Sequence, residues 1–323
     1  MPQTVSQGGS RDVISGVAIP SLIFLVSGWL PIIGVLGLLT LPLPIFYYRA
    51  KLGRKRGLLI LAAAMAVVAT AIGRLSPDLM IVAGLLMTGF VLCELVEKGM
   101  SIERTVLFTG GLVYIVGVLG LLVYSNMAGA QPGALLAAYV EQNLALSLKL
   151  YEEVGMPPER VHLIAQSLGV IQYYLIRILP SLSGAFLLLV AWITFLGART
   201  VLTRKGVGFP DFGHLNTWHA PEAMVWGVIG CGGLLFFPYH LAKVVALNGL
   251  ILLMTVYFFQ GIAVISYFFE KKELPLSLRV LIYSLIAFWY LPLVLVVGLG
   301  FFDMWADFRR LRRPVSDDPG PEE

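Results

Sequence analysis

The side chains best suited to metal chemistry lie together in one polar stretch of an otherwise apolar chain. This stretch, 211–222, contains two carboxylates and two imidazoles: Asp211, His214, His219 and Glu222. Such groups are ligands that divalent metal ions accept. Structural metal sites use tighter and more regular ligand spacing, however, and Pro210 and Pro221 flank the polar residues. Asp211, His214 and His219 are therefore weak metal-binding candidates, and the sequence predicts no bound metal or cofactor.

A second group of polar side chains lies in a long apolar segment, where burial away from water is costly. Asn248 and Gln260 lie deep in this segment, and Lys243 lies at its start. A deep amide either joins neighbouring helices by hydrogen bonds or contacts a ligand. With one carboxylate from the polar stretch, four residues form the candidate ligand-binding set: Asn248, Gln260, Lys243 and Glu222.

Other polar residues have simpler explanations. Glu94 and Glu97 end another apolar segment, from which they can reach the headgroup region. Cys93 and Cys231 lie in different apolar segments, as small buried hydrophobic residues do, and no disulfide is inferred. The sequence contains no nucleophile and base pair and no His-Glu-x-x-His motif, so it predicts no catalytic residue and no enzyme activity.

Composition indicates the solvent around these residues. Of the 323 residues, 58% are hydrophobic and 13% are charged, whereas soluble domains have about 25% charged residues. About 20 apolar residues span a bilayer as a helix, and the uncharged runs of this chain reach that length without the alternation of a barrel strand. The net charge of +4 lies in short loops, which gives no reason to expect nucleic-acid binding.

The runs predict an all-α polytopic transmembrane helix bundle of about eight spans. The predicted spans are 13–30, 32–48, 57–73, 79–95, 105–125, 178–198, 244–269 and 280–302. A further segment, 223–238, is short, contains four glycines and is bounded by Pro221 and Pro238. We predict that it is a broken or re-entrant helix, the kind of element that exposes backbone groups to substrates in transporters.

Basic residues in short loops predict the orientation. The loop 49–56 is the most basic and is expected in the cytoplasm, together with the N-terminus. Return of 223–238 to the side from which it enters would also place the C-terminal arginines inside: Arg309, Arg310, Arg312 and Arg313. A break at Pro292 in the last span would have the same effect.

Five regions follow from this pattern. A disordered N-terminus (1–12) precedes a first bundle of about five spans (13–125). An extracytoplasmic amphipathic helical insertion (126–177) is either a pair of helices on the membrane surface or a lid over a cavity. A second bundle (178–302) and a basic, then acidic, cytoplasmic tail (303–323) complete the chain.

Three stretches carry a resemblance to a known family. Ile19–Leu59, Gln260–Pro275 (QGIAVISYFFEKKELP) and Leu299–Arg312 (LGFFDMWADFRRLR) resemble YybS-like bacterial membrane proteins, a family of unknown function. The pair Pro42 and Pro44 before a basic loop is similar to substrate-binding subunits of energy-coupling-factor vitamin transporters. That second resemblance implies a membrane core that binds a small molecule, without assigning a ligand residue.

Three classes of function remain open from the sequence. The first is a transport-type or small-molecule-binding protein of the bacterial cytoplasmic membrane, with a cavity lined by 244–269 and 223–238. The second is a membrane scaffold or regulator that binds protein partners. The third is an intramembrane or metal-dependent enzyme that uses the 211–222 stretch. The lipid bilayer is the expected partner in all three.

Overall fold

The computed structural model describes residues 9–29 and 31–309, and within these ranges the chain is helical, with one 3₁₀ turn (Leu215–Thr217) and no β-strand. The helices are α1 Ser10–Trp29, α2 Pro31–Thr40, α3 Pro42–Leu52, α4 Arg54–Ile72, α5 Pro77–Glu97, α6 Ile102–Ala128, α7 Pro132–Glu153, α8 Pro158–Arg204, α9 Met224–Leu235, α10 His240–Lys271, α11 Leu276–Phe288 and α12 Tyr290–Ala306. The predicted all-α class and polytopic helix bundle are confirmed.

Fewer helices than predicted are long enough to span a membrane. Among the described residues six helices qualify by length and apolarity, namely α1, α4, α5, α6, α8 and α10, and the bent pair α11 and α12 could make a seventh. The prediction was about eight. The predicted termini lie mostly outside the described ranges, but Ser10 and Asp12 already belong to α1 and Asp303 belongs to α12.

The predicted span 32–48 consists of two short helices. Pro42 begins α3 directly after a turn at the fully buried Leu41, because proline cannot donate the backbone hydrogen bond that would continue α2. The ion pair between Lys51 Nζ and Asp12 Oδ1, 2.8 Å long, places the end of α3 beside the start of α1. The two helices together therefore return the chain to the end of the bundle at which α1 begins.

The predicted external insertion has one separate helix, not two. α8 contains 47 residues with Pro180 inside it, and at about 1.5 Å per residue it is about 70 Å long. It therefore includes both the expected second external helix and the expected span 178–198. The Tyr139 hydroxyl of α7 donates a hydrogen bond to Asp78 Oδ1 at 2.7 Å. Burial and this hydrogen bond raise the pKa of Tyr139 to about 12, so the hydroxyl stays a donor at neutral pH.

The chain divides into two compact units after Asp211, and in the second unit the segment before α10 runs antiparallel to it. Four contacts show this, in order along both segments: Asn216 with Glu270, Ala220 with Gln260, Gly227 with Leu253, and Cys231 with Gly249. Residues 216–235 thus accompany α10 from its C-terminal end toward its start. Only the second half of this segment is α-helical, as α9.

This arrangement corrects the prediction for 223–238. The segment contains one continuous short helix, α9, the irregular backbone lies before it at 218–223, and the chain does not return to the side from which it enters. The segment forms an antiparallel pair with the first half of α10. Because Asn216 lies beside Glu270, the chain runs beside α10 in one direction through 216–235 and returns in the other direction through α10 itself. The sequence interpretation failed because it measured only the helical half, which alone is too short to span.

The sharp bend in the second unit lies instead between α11 and α12, whose axes differ in direction by 101°. Trp289 has an extended backbone conformation (φ −122°, ψ 130°), and Pro292 follows in the first turn of α12. Proline fits the first helical turn but clashes with a preceding one. A break near Pro292 was the alternative considered from the sequence, and the structure places it at Trp289.

Two glycines allow α10 and α12 to approach closely. A methyl group on Gly261 would meet the Val296 carbonyl, and one on Gly300 would meet the Tyr257 carbonyl and the Gly261 backbone nitrogen. Backbone atoms cannot move aside as a flexible side chain can. Small residues at helix contacts of membrane proteins serve this purpose.

We expect Gly300→Ala to destabilise the protein by about 1–3 kcal/mol, the typical cost of overpacking. The unfolding free energy can be measured by denaturant titration in detergent micelles. Gly298→Ala is the matched control, because a Cβ there meets nothing within 4 Å and alanine favours the helix. Equal stability of the two variants would show that the glycine contact between α10 and α12 is absent.

Candidate functional site

A buried ionic cluster joins α10 and α12 in the second unit. Asp303 of α12 accepts a hydrogen bond from Arg309 at 2.7 Å and from the Gln260 amide at 3.1 Å, both at Oδ2. Asp303 and Arg309 side chains are 0% exposed, and Gln260 is also fully buried. His219 Nε2 lies 4.0 Å from Asp303 Oδ2. We call Gln260, Asp303 and Arg309 the Asp303 cluster.

A local turn brings Arg309 back to Asp303. Asp307 ends α12 in the left-handed conformation (φ 39°) and its N–H donates to the Asp303 carbonyl. The next N–H, that of Phe308, donates to Asp303 Oδ1 at 3.2 Å. Both carboxylate oxygens therefore accept hydrogen bonds, as a buried charge requires.

The Asp303 cluster also holds the non-helical half of the segment beside α10. One nitrogen of Arg309 donates to the carbonyls of Asn216 (2.6 Å) and Trp218 (3.0 Å). The Gln260 side-chain oxygen accepts the Ala220 N–H at 3.2 Å. A segment without helical hydrogen bonds must satisfy its backbone groups elsewhere when it lies away from water. Gln260 and Arg309 supply these partners.

The buried polar atoms of this unit that lack a hydrogen-bond partner within residues 9–29 and 31–309 include the Tyr257 hydroxyl, Asn216 Oδ1 and Arg309 Nε. Leaving such groups unpaired is costly, and each one needs an explanation, such as a water or another polar occupant. Tyr257 is one helical turn before Gln260 on α10, and Asn216 and Arg309 are hydrogen-bonded to each other. The three atoms therefore leave hydrogen-bonding capacity unused at buried positions of the second unit.

The structure unites only part of the predicted ligand-binding set. Gln260 belongs to the Asp303 cluster, whereas the Asn248 amide donates to Val244 O of its own helix at 2.8 Å. Asn248 lies about 18 Å from Gln260 along α10. Lys243 and Glu222 are exposed.

In the part of the chain that the structure describes, no group of three or more His, Cys, Asp or Glu side chains is placed to hold a metal ion, and Asp211 and His214 are exposed.

The first unit contains a second ionic network that sequence reasoning missed. Arg49 is 2% exposed, and its guanidinium donates to Glu94 Oε1 (2.5 and 3.0 Å) and to Glu97 Oε1 (2.6 Å). Arg54 Nε lies 3.4 Å from the same Glu94 oxygen. The network joins the end of α3, the start of α4 and the end of α5. Arg49 had been attributed to loop charge, and the two glutamates to a helix end.

The described surface includes two open apolar grooves. One, of about 450 Å³, lies between α1 and α4. The other, of about 270 Å³, follows α11 and its end at Trp289. Neither groove is lined by a residue of the predicted ligand-binding set.

Several long apolar helices packed into a bundle, with buried ionic clusters between them, define an integral membrane protein of the α-helical, multi-pass class. The chain belongs to the family described as predicted membrane protein (DUF2232), whose family model matches residues 18–304. It is also similar to the uncharacterized protein YybS of Bacillus subtilis (strain 168), at 23% identity over 289 residues, which are 84% of this chain and 89% of that protein. No solved structure matches the chain. The resemblance to YybS-like proteins is therefore confirmed.

Proposed function

We propose that this protein is a transport-type protein of the bacterial cytoplasmic membrane that binds a small polar molecule or ion at the Asp303 cluster. The observation that carries the proposal is the backbone of 216–221, which lies outside any α-helix and packs along α10 beside a buried carboxylate and a buried guanidinium. Interrupted helices of this kind form the binding sites of many transporters. The unpaired polar atoms nearby supply hydrogen-bonding capacity for an occupant.

The same contacts suggest how an occupant would move the protein. Arg309 divides its hydrogen bonds between Asp303 and two backbone carbonyls. A ligand that replaces any of these hydrogen bonds changes how 216–220 is attached to Arg309. Binding would then shift the equilibrium between a form in which 216–220 is hydrogen-bonded to Arg309 and a form in which it is not. The size of this shift is set by the difference in the ligand's affinity for the two forms. The similarity of the Pro42 and Pro44 region to energy-coupling-factor subunits favours the same class of function.

The proposed orientation keeps the N-terminus in the cytoplasm. The ion pair of Lys51 with Asp12 and the Arg49 network place the basic loop 49–56, the start of α1 and the end of α5 at one end of the first unit. Lys98 and Arg104 follow at that end along the chain. The positive-inside rule assigns such an end to the cytoplasm.

The test is an untargeted mass-spectrometric search for small molecules that co-purify with the protein, followed by Tyr257→Phe. This change removes only a hydroxyl that lacks a partner in the described structure. The fold should remain as stable as before, while the bound molecule should be retained about 2- to 10-fold less tightly, the value of one hydrogen bond. Tyr267→Phe on the same helix is the control. Absence of any co-purifying molecule, or equal retention by the two variants, would overturn the proposal.

A further inference from the structure

A titratable side chain beside the Asp303 cluster reaches the surface of the protein. His219 Nε2 lies 4.0 Å from Asp303 Oδ2, and 27% of the His219 side chain is exposed. The Asp303 and Arg309 side chains, in contrast, are 0% exposed. Histidine is the side chain whose charge changes in the neutral pH range without any special environment. A proton from water can therefore reach the edge of the Asp303 cluster through His219.

The charged and titratable groups of this region come from three parts of the described chain. Near His219 in sequence are His214 and Glu222, which are both exposed. The helix α10 contributes the buried Tyr257 and also Glu270, which accepts a hydrogen bond from the Asn216 amide. The end of α12 and the turn after it contribute Asp303, Asp307 and Arg309. Of the described carboxylates, that of Asp303 lies at ion-pair distance from the imidazole.

The Asp303 cluster is electrically balanced as long as His219 is neutral. The carboxylate of Asp303 and the guanidinium of Arg309 are 2.7 Å apart and carry one charge of each sign. A proton on His219 adds a second cation beside the same buried carboxylate, and one carboxylate cannot compensate two cations away from water. Asp303 Oδ2 already accepts hydrogen bonds from Arg309 and Gln260. A charged imidazole therefore competes with Arg309 for this oxygen.

The same guanidinium is hydrogen-bonded to the irregular backbone before α9. One nitrogen of Arg309 donates to Asp303, and the other donates to the carbonyls of Asn216 and Trp218. Because the guanidinium is planar and rigid, its two nitrogens move together. Displacement of Arg309 from Asp303 therefore also breaks its hydrogen bonds to 216–218. The proton at His219 and the attachment of this backbone are thus coupled through one side chain.

We infer that His219 is the proton-binding residue of the Asp303 cluster, and that its protonation displaces Arg309 from Asp303 and releases 216–220 from Arg309. This inference rests on the proposed function and names the proton as an ion that binds at that site. The proton comes from water and leaves both imidazole nitrogens as donors, with Nε2 facing Asp303. By linkage, a ligand that favours the released form also favours proton binding.

The experiment is hydrogen–deuterium exchange with mass spectrometry on the full-length protein in detergent micelles at about pH 8 and about pH 6, on either side of the usual histidine titration. Rates are corrected for the intrinsic pH dependence of exchange. The Ala220 N–H, which donates to the Gln260 side chain, reports opening of the segment. Its protection should fall about 10-fold at the lower pH, the effect of losing one hydrogen bond to a charged group.

Three variants assign the effect to one residue. His219→Gln cannot be charged and should show the same protection at both pH values. His219→Lys carries a positive charge at both and should show the lower protection at both. His214→Gln removes an exposed histidine of the same stretch and is the matched control, which should keep the change with pH. Protection that does not change with pH, or that falls equally in His219→Gln, would overturn the inference.

Failure of this inference can be distinguished from failure of the proposed function. If no small molecule co-purifies but the change with pH is lost only in His219→Gln, the small-molecule site is wrong and the proton site is supported. If a molecule co-purifies but protection of the Ala220 N–H is independent of pH, the proton site alone is wrong.

Discussion

Replacing Asp303 with asparagine is expected to destabilise the protein by about 3–5 kcal/mol, the cost of leaving one member of a buried ion pair uncompensated. The Asp303 and Arg309 side chains are 0% exposed, so water cannot replace the lost charge. An asparagine also turns one oxygen into a donor, which would then face either the Phe308 N–H or the Arg309 and Gln260 donors. Denaturant titration in detergent micelles measures the change.

The double variant Asp303→Leu/Arg309→Met separates charge from packing. It removes both ions and should recover part of the lost stability, as apolar replacements of buried ion pairs often do. Recovery should be incomplete, because the Asn216 and Trp218 carbonyls lose their donor. Asp12→Asn is the control. It breaks an ion pair whose side chains are 25–29% exposed, so it should cost at most about 1 kcal/mol. If it costs as much as Asp303→Asn, burial is not the cause.

The helices themselves could largely be predicted from the sequence. Apolar runs of the right length gave α4, α5 and α10 with errors of a few residues at each end: 57–73 for Arg54–Ile72, 79–95 for Pro77–Glu97, and 244–269 for His240–Lys271. These apolar runs predict the helices correctly because a segment in lipid must form its own backbone hydrogen bonds. Its length and apolarity therefore determine the element. They fail where proline interrupts a run, as at Pro42, or where an external helix continues into a span, as in α8.

The buried cluster could be predicted only in part. Gln260 was found because an amide deep in an apolar segment is costly without a partner. The same reasoning selected Asn248, whose amide is satisfied on its own helix, so depth alone does not identify a site. Asp303 was assigned to the tail, although a single carboxylate inside the apolar run Leu299–Trp305 is a usable signal. Arg309 was hidden in a basic stretch that the positive-inside rule already explained.

The pairing of these residues could not be predicted, because it joins positions far apart in sequence. Gln260 and Asp303 are separated by 43 residues, and Arg309 and Asn216 by 93. No local sequence pattern indicates such a contact. The antiparallel course of 216–235 along α10 was missed for the same reason, since its non-helical half shows no periodicity. The site therefore became visible only when the helices were placed together.

Arg49→Met is expected to have the second largest effect, at the lower end of about 3–5 kcal/mol. Arg49 is 2% exposed and joins two glutamates of α5 through both edges of its guanidinium. The cost is smaller than for Asp303 because the Glu94 and Glu97 side chains keep 19% and 33% of their exposure. Arg54, 3.4 Å from Glu94, also remains. Arg49→Lys should lie between, since one ammonium cannot form the paired hydrogen bonds.

Two further variants distinguish a buried network from ordinary loop charge. Arg54→Met removes a side chain that is 75% exposed and should change the unfolding free energy by less than about 1 kcal/mol. Arg49→Met combined with Glu94→Gln and Glu97→Gln removes the stranded carboxylates and should recover part of the stability lost by Arg49→Met alone. If Arg49→Met and Arg54→Met are equally stable, Arg49 acts only through the positive charge of its loop. A loss confined to Arg49→Met would instead show that the network fixes α3 against α5, because α3 is too short to hold its position by length alone.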